Sequence, residues 1–289
     1  MGKRMKNLMP DSIQPVETST WIHYQDSIII FLDILGFQDL INESYSNKPK
    51  RGINKKIADI YDGIMTIRTI LKIDEQEVIG TKYFVSNFSD CVVIAFPFDK
   101  PNVLLDTLIR IQELLLNLSH KEIIVRGGIT RGLIYSNRDF QIVFGPGLVE
   151  AYQLESKAAH YPRVILDNEI VKICKMHTNA IYENEVEKYL KNLLEQDTDG
   201  MFYIDYFKPL IEGLEAQNYD YANGLNNLRT IIVKGLKKMS PGIRIKYLWM
   251  KKKYNDTLKT IKKEEFLSKL NSIGRIQLAK DIIKLKLIS

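Results

Sequence analysis

The order of elements in the sequence predicts an α+β sandwich, a mostly antiparallel sheet with helices on one face, followed by a helical and basic C-terminal extension. Three observations predict it. Ser27-Ile28-Ile29-Ile30-Phe31-Leu32-Asp33-Ile34 is a continuous apolar run of strand length, as expected of a strand covered on both faces. Two further strand-like runs, Val78 to Val85 and Cys91 to Phe96, flank Ser86-Asn87-Phe88-Ser89-Asp90, whose turn chemistry predicts a hairpin with Asp90 at its tip. Beyond about residue 176 helical spacing takes over.

In chain order, residues 1–26 read as an irregular arm, with Pro10, Pro15 and a Ser/Thr cluster before Trp21. Gly36 breaks the first strand and a short helix starts. Ile57, Ile60, Tyr61, Ile64, Ile67, Ile70 and Leu71 recur at helical spacing, which predicts a helix over 53–73. After the hairpin, Pro101 opens a helix that ends near His120. Ile123 to Tyr135 is a strand region interrupted by Gly127-Gly128, and Asn137 turns the chain into Gln141-Ile142-Val143-Phe144. Gly145-Pro146-Gly147 starts a helix through Glu155, and Val164-Ile165-Leu166 closes the core as a strand. Helical patterns then cover Glu183 to Leu194, Asn223 to Met239 and Glu264 to Lys286, with a strand-like Met201 to Asp205 between; Trp249 and Lys251-Lys252-Lys253 fit an amphipathic helix.

The composition is globular, with 45% hydrophobic and 26% charged residues in 289, which excludes a disordered or fibrous chain. The apolar run at Leu104 to Leu118 is broken by Asp106, Arg110 and Glu113, and the run at Ile28 to Leu35 is too short to span a bilayer, so no membrane insertion is expected. No apolar segment with a cleavage site follows the basic N-terminal residues, and two cysteines, Cys91 and Cys174, cannot make a disulfide framework. A reducing, cytoplasmic setting is expected. The net charge of +6 is uneven: from residue 222 onward 17 Lys and Arg face 4 Asp and Glu. Without an aromatic-interleaved groove or a nucleic-acid motif, this tail reads as helices with solvated lysine faces rather than a nucleic-acid surface. The four histidines show no ligand spacing.

Two carboxylates carry the chemistry. Asp33 ends an otherwise apolar strand, where a carboxylate is costly unless compensated. Asp90 stands at the hairpin tip. If the hairpin lies beside the first strand, the two meet and can hold a pair of hard cations, Mg²⁺ or Mn²⁺. The Leu35-Gly36-Phe37 turn into a helix offers backbone N–H groups to an anion, and Gly36 lets the backbone approach it closely.

Taken together, these segments resemble the catalytic domain of class III nucleotidyl cyclases. Phe31-x-Asp33-Ile34-x-Gly36-Phe37 is similar to the family's first metal motif, and Ser89-Asp90 to its second. Arg126-Gly127-Gly128-Ile129-Thr130-Arg131-Gly132 resembles its Arg-x-Gly-Ile strand, Gly147 to Glu155 its Ala-x-Arg-Leu-Glu helix, and Pro162-Arg163-Val164-Ile165 its closing strand. The resemblance implies a ferredoxin-like or palm-type domain over 27–176 and an appended helical extension over 177–289. Ser86 stands where purine cyclases carry a base-reading Lys, Val149 where they carry an Asn, and Gln153 where they carry an Arg. The combination with Ala151-Tyr152-x-Leu154-Glu155 and Tyr161-Pro162-Arg163 is closest to the pyrimidine cyclases of bacterial Pycsar antiphage systems. That resemblance implies UTP or CTP as substrate, a cyclic pyrimidine nucleotide as product, a homodimer with interfacial active sites and a separate effector that senses the nucleotide. A purine cyclase with an atypical pocket and an inactive nucleotide-binding module are the alternatives. The expected metal ligands are Asp33, Asp90 and the Ile34 carbonyl. Arg131 is expected on the phosphates, and Phe31, Leu35, Gly36, Phe37, Ser86 and Tyr152 on the substrate. Arg126 is expected to be structural, and Arg163 to serve packing or an interface.

Overall fold

The computed structural model describes residues 23–46, 55–70, 83–98, 101–177, 190, 192–208 and 221–289. Strand β1 (Gln25–Ile34) lies at the centre of the sheet. It is continuously apolar because both faces are covered. Ile28, Ile30, Leu32 and Ile34 enter the main core, whereas Ile29 and Phe31 enter a smaller cluster on the opposite face. Helices α1 (Phe37–Ser46) and α2 (Lys55–Ile70) follow, then the hairpin β2 (Phe84–Phe88) and β3 (Cys91–Pro97), α3 (Pro101–His120) and β4 (Val125–Asn137). The strand order β2-β3-β1-β4, with every pairing antiparallel, is the βαββαβ arrangement of a ferredoxin-like sandwich. Helix α3 closes the main core with Val103, Leu104, Leu108, Ile111, Leu114, Leu115 and Leu118, one helical stripe.

Past β4 the chain adds β5 (Ile142–Phe144) on the end of β4, α4 (Pro146–Ala158), β6 (Val164–Leu166) parallel to β4, and α5 (Asn168–His177). Strands β7 (Leu194–Gln196) and β8 (Phe202–Ile204) continue the same sheet in the order β6-β8-β7. Helices α6 (Tyr221–Leu236), α7 (Pro241–Ile261), α8 (Glu264–Ser272) and α9 (Ile276–Lys284) complete the chain, and their buried residues join the main core.

The structure corrects several expectations. Ser86, Asn87 and Phe88 belong to strand β2 rather than to the turn, because they pair with Val93, Val92 and Cys91. The turn is only Ser89-Asp90, with Ser89 in the left-handed region (φ 55). Helix α5 was not expected; the Asp167 carboxylate starts it by accepting the Ile170 N–H at 2.8 Å. The long C-terminal pattern is two helices, divided at Gly274 (φ 78). Leu194 begins a strand rather than ending a helix. Most of the arm at 1–26, the start of the Val78 to Val85 run and most of the 183–194 helix lie outside the described residues.

Helix α4 is the cover of the second sheet face, and glycines set its distance. A Cβ on Gly128 would come within 3.0 Å of the Ala151 carbonyl oxygen, and one on Gly132 within 2.7 Å of the Gly147 Cα. Backbone meets backbone there, so no side chain can yield. Replacing Gly132 by Ala should therefore destabilise the protein by about 1–3 kcal/mol through overpacking. Gly242→Ala, in open space on α7, should be neutral or stabilising by up to about 1 kcal/mol. Denaturant midpoints of the two variants check this; equal midpoints would mean that α4 is not held at that distance.

Candidate active site

The sheet register places the site residues in rows. On the face covered by α4, Phe88, Cys91, Asp33 and Arg126 stand side by side on β2, β3, β1 and β4. The next row on that face is Ser86, Val93, Phe31 and Gly128. The hairpin turn then brings Asp90 to the end of β1, where its carbonyl accepts the Ile34 N–H at 2.9 Å. Oxygens of Asp33 and Asp90 and the Cys91 sulfur all lie within 4.8 Å of one another. The two carboxylates are far apart in sequence, and the β1–β3 pairing makes them neighbours.

Arg126 compensates Asp33. Its Nε donates to Asp33 Oδ2 at 2.8 Å and stands 2.7 Å from Glu155 Oε1. The N–H points at Asp33, so Glu155 Oε1 keeps an ionic contact but has no hydrogen-bond donor, although it is fully buried. Burial pushes the Glu155 carboxyl up; the Arg126 guanidinium pulls it back, and the charges of Asp33 and Asp90 add to the rise. Glu155 reaches this point because Gly147, Ala151 and Glu155 form one stripe of α4 at i, i+4 and i+8, the stripe that lies on the sheet.

Cys91 completes the cluster geometrically but not chemically. Burial, then the neighbouring Asp90 and Asp33 charges, push its thiol up to about 11. A protonated thiol is a poor ligand for Mg²⁺ or Mn²⁺, which take oxygen donors. The carboxylates fit such ions: they come as an adjacent, half-buried pair of oxygen donors.

The other expected residues fall into two groups. Phe31 is buried and meets the Tyr152 ring edge-on at 5.5 Å; Tyr152 itself is 52% exposed. Ser86 shares the Phe31 row. Leu35, Gly36 (φ 74) and Phe37 form the turn from β1 into α1, with the Leu35 N–H held by the Ile124 carbonyl at 2.8 Å. Arg131 is not with them. It lies opposite Ile28, five residues along β4 from Arg126, roughly 17 Å at strand rise. Its guanidinium is committed to Asp26 at 2.5 Å and Glu169 at 3.1 Å and stacks over Phe98 at 4.3 Å. The arginine beside the carboxylates is Arg126, whose ion pairs with Asp33 and Glu155 fit the structural role expected of it. Arg163 is fully buried, paired with Asp197 at 2.6 Å and with Asp199.

Two residues at the site carried no functional expectation. Glu155 is legible in hindsight from its place on the small-residue stripe of α4. Lys246, on α7, is half-buried, and its charge interacts with those of Arg126, Asp33 and Glu155. It sits one turn before the apolar Trp249-Met250 pair, a position that the solvated-face reading of the tail passed over.

No family model and no curated protein matches the sequence. Solved structures do resemble it. A bacterial light-regulated adenylyl cyclase is 16% identical over 72% of this chain and 98% of that chain, at a TM-score of 0.40. A second structure of a bacterial light-regulated adenylyl cyclase is 14% identical over 72% of this chain and 57% of that one, also at 0.40. An adenylate/guanylate cyclase/hydrolase from Silicibacter pomeroyi is 16% identical over 63% of this chain and 95% of that chain, at 0.35. No helix among the described residues is long and apolar enough to cross a membrane.

The thiol gives a direct check on the electrostatics of this site. Iodoacetamide should alkylate Cys91 slowly at pH 7.5, and the rate should rise about tenfold per pH unit toward pH 11. Mass spectrometry of quenched samples distinguishes Cys91 from the buried Cys174. A rate that levels off below pH 9 would contradict the carboxylate crowding described above.

Proposed function

We propose that the protein is a nucleotidyl cyclase that converts a pyrimidine nucleoside triphosphate, UTP or CTP, to its 3′,5′-cyclic nucleotide and pyrophosphate. The observation that carries this reading is the Asp33–Asp90 carboxylate pair beside the Gly36 turn, with an aromatic and hydroxyl-bearing surface in the next row. Asp33 and Asp90 would hold two Mg²⁺ or Mn²⁺ ions, with the Ile34 carbonyl beside them. Bound there, such ions supply activation of the ribose 3′-hydroxyl and neutralisation of the phosphates.

The chain's own residues do the rest. Arg126 fixes the Asp33 carboxylate in one orientation. The turn at Gly36 presents the N-terminal N–H groups of α1 to the phosphates. Phe31 and Tyr152 flank the base, and the Ser86 hydroxyl can both donate to it and accept from it. The 3′-oxygen bonds to the α-phosphorus as the bond to pyrophosphate breaks, and the hydroxyl proton leaves to solvent. Positioning and charge stabilisation account for the rate. Ser86, in place of a long cation, favours a small pyrimidine edge over a purine.

Residues on the α4 side of the sheet stay open: Val149 is 54% exposed and Phe88 82%. Beside the half-open Tyr152 they support a second copy of the chain covering this face, with active sites at the interface. A separate effector that reads the cyclic nucleotide, and a role in antiphage defence, complete the proposal on the motif resemblance.

Incubating the protein with ATP, GTP, CTP and UTP in turn with Mn²⁺ tests the chemistry. Cyclic UMP or cyclic CMP should form, and Asp33→Ala or Asp90→Ala should lower turnover by about 10²–10³-fold or more with the fold intact. Purine-only products would overturn the pyrimidine assignment, and turnover retained by either variant would falsify the metal assignment. Sedimentation equilibrium should give twice the chain mass, shifted toward the monomer by Tyr152→Glu.

A further inference from the structure

Three arginines near the sheet are already committed: Arg126 to Asp33 and Glu155, Arg131 to Asp26 and Glu169, and Arg163 to Asp197 and Asp199. A nucleoside triphosphate carries more negative charge than two carboxylate-bound divalent ions neutralise, since the carboxylates themselves cancel part of the ions' charge. A further cation is needed on the phosphate side, and the C-terminal helices bring one.

The buried stripe of α7 runs through Trp249, Met250, Lys253, Tyr254, Thr257, Leu258 and Ile261. Lys246 lies three and four residues before Trp249 and Met250, so it extends that stripe by one turn toward the start of the helix. Two anchors fix this end of α7. Trp249 stacks on Tyr161 at 5.6 Å with the rings 8° from parallel, and its Nε1 donates to Asp197 at 2.6 Å. Tyr247 packs on Gly235, where a Cβ would stand 2.3 Å from the ring, and Lys238 pairs with Asp39 of α1 at 3.4 Å. The chain just before β6 is bonded to β4 next to Arg126, through the Gly127 N–H and the Arg163 carbonyl at 3.1 Å. Lys246 thereby lies within electrostatic reach of Arg126, Asp33 and Glu155, half-buried, and makes no ion pair with a described residue.

We propose that Lys246 is a phosphate-contacting residue: α7 of the C-terminal extension supplies the cation that grips the triphosphate next to the Asp33–Asp90 pair. This rests on the nucleotidyl-cyclase reading above. Its surroundings support it. Burial, followed by the Arg126 charge, pushes the Lys246 ammonium below its usual range, and Asp33 and Glu155 only partly offset this. An under-compensated cation of that kind is stabilised by an arriving anion. The ammonium is also a flexible point donor, suited to a phosphate oxygen whose position changes as pyrophosphate departs.

Calorimetric titration of the full chain with Mn²⁺ alone, and with each of the four NTPs in Mn²⁺, tests the proposal beside steady-state turnover. Lys246→Ala should weaken NTP binding about tenfold to hundredfold, the effect of one charge-assisted hydrogen bond. It should leave Mn²⁺ affinity within about twofold, and its thermal midpoint should stay at the wild-type value. Lys246→Arg should recover most of the NTP affinity. Wild-type turnover that Asp33→Ala abolishes and Lys246→Ala leaves unchanged overturns the Lys246 role alone. Failure of the wild-type chain to bind any Mn²⁺–NTP overturns both readings. Turnover that rises in Lys246→Ala would make the lysine a plug rather than a grip, and also overturns the proposal.

Discussion

A carboxylate at the end of the central, otherwise apolar strand is the constraint around which the rest is arranged. Asp33 cannot stand there uncompensated, because removing a charge from water without a partner costs several kcal/mol. The antiparallel register of β1 and β4 puts Arg126 directly opposite it. That register is fixed from both sides: a slip of one residue would turn Ile28, Ile30 and Leu32 out of the main core and put Asp33 into it. The hydrophobic pattern that folds the sheet therefore also decides which arginine meets the carboxylate. Arg131, in the same strand, is drawn to Asp26 at the far end by the same register.

Close approach of α4 follows from that arrangement. Arg126 has two carboxylates to serve, and the second comes from a helix that can reach it only if β4 presents no side chain in between. Gly128 and Gly132 clear the path, and Gly147 clears it from the helix side. The cost is a buried Glu155 oxygen with no hydrogen-bond donor. Such a group is poised rather than satisfied.

Much of this was legible in the sequence. The double-sided burial of β1 showed as an unbroken apolar run, and the pairing of Asp33 with Asp90 followed from a hairpin returning beside it. Periodicity showed α3 and the helical tail. Three things were not legible, each for a physical reason. The hairpin turn was placed too early, because Ser86, Asn87 and Phe88 have local turn chemistry that cross-strand pairing overrides. That Arg126 meets Asp33 while Arg131 meets Asp26 was not legible, because only the register, not composition, says which of two arginines on one strand faces the carboxylate. The tail's lysines were read as one solvated class, whereas burial divides them: Lys253 is buried and pairs with Glu195 at 2.7 Å, while Lys252 is exposed.

That division gives the basic extension a physical role. Strands β7 and β8 extend the same sheet, and the turn after β7 supplies Asp197 and Asp199 to the fully buried Arg163. Asp197 also receives the Trp249 indole N–H and lies 3.8 Å from Lys253. A buried pair of this kind adds little net stability against an apolar equivalent, but breaking it is costly, so it specifies one arrangement over its neighbours. Here the arrangement specified is the seat of α7, whose Trp249 meets Tyr161 just before β6, Tyr203 on β8 and Phe207. Since β6 is hydrogen-bonded to β4 beside Arg126, rotation of α7 by even one residue, about 100°, would swing Lys246 away from Asp33 and strand Lys253 without its carboxylates. The ionic knot around Arg163 thus fixes the face of α7 on which Lys246, Trp249 and Lys253 stand.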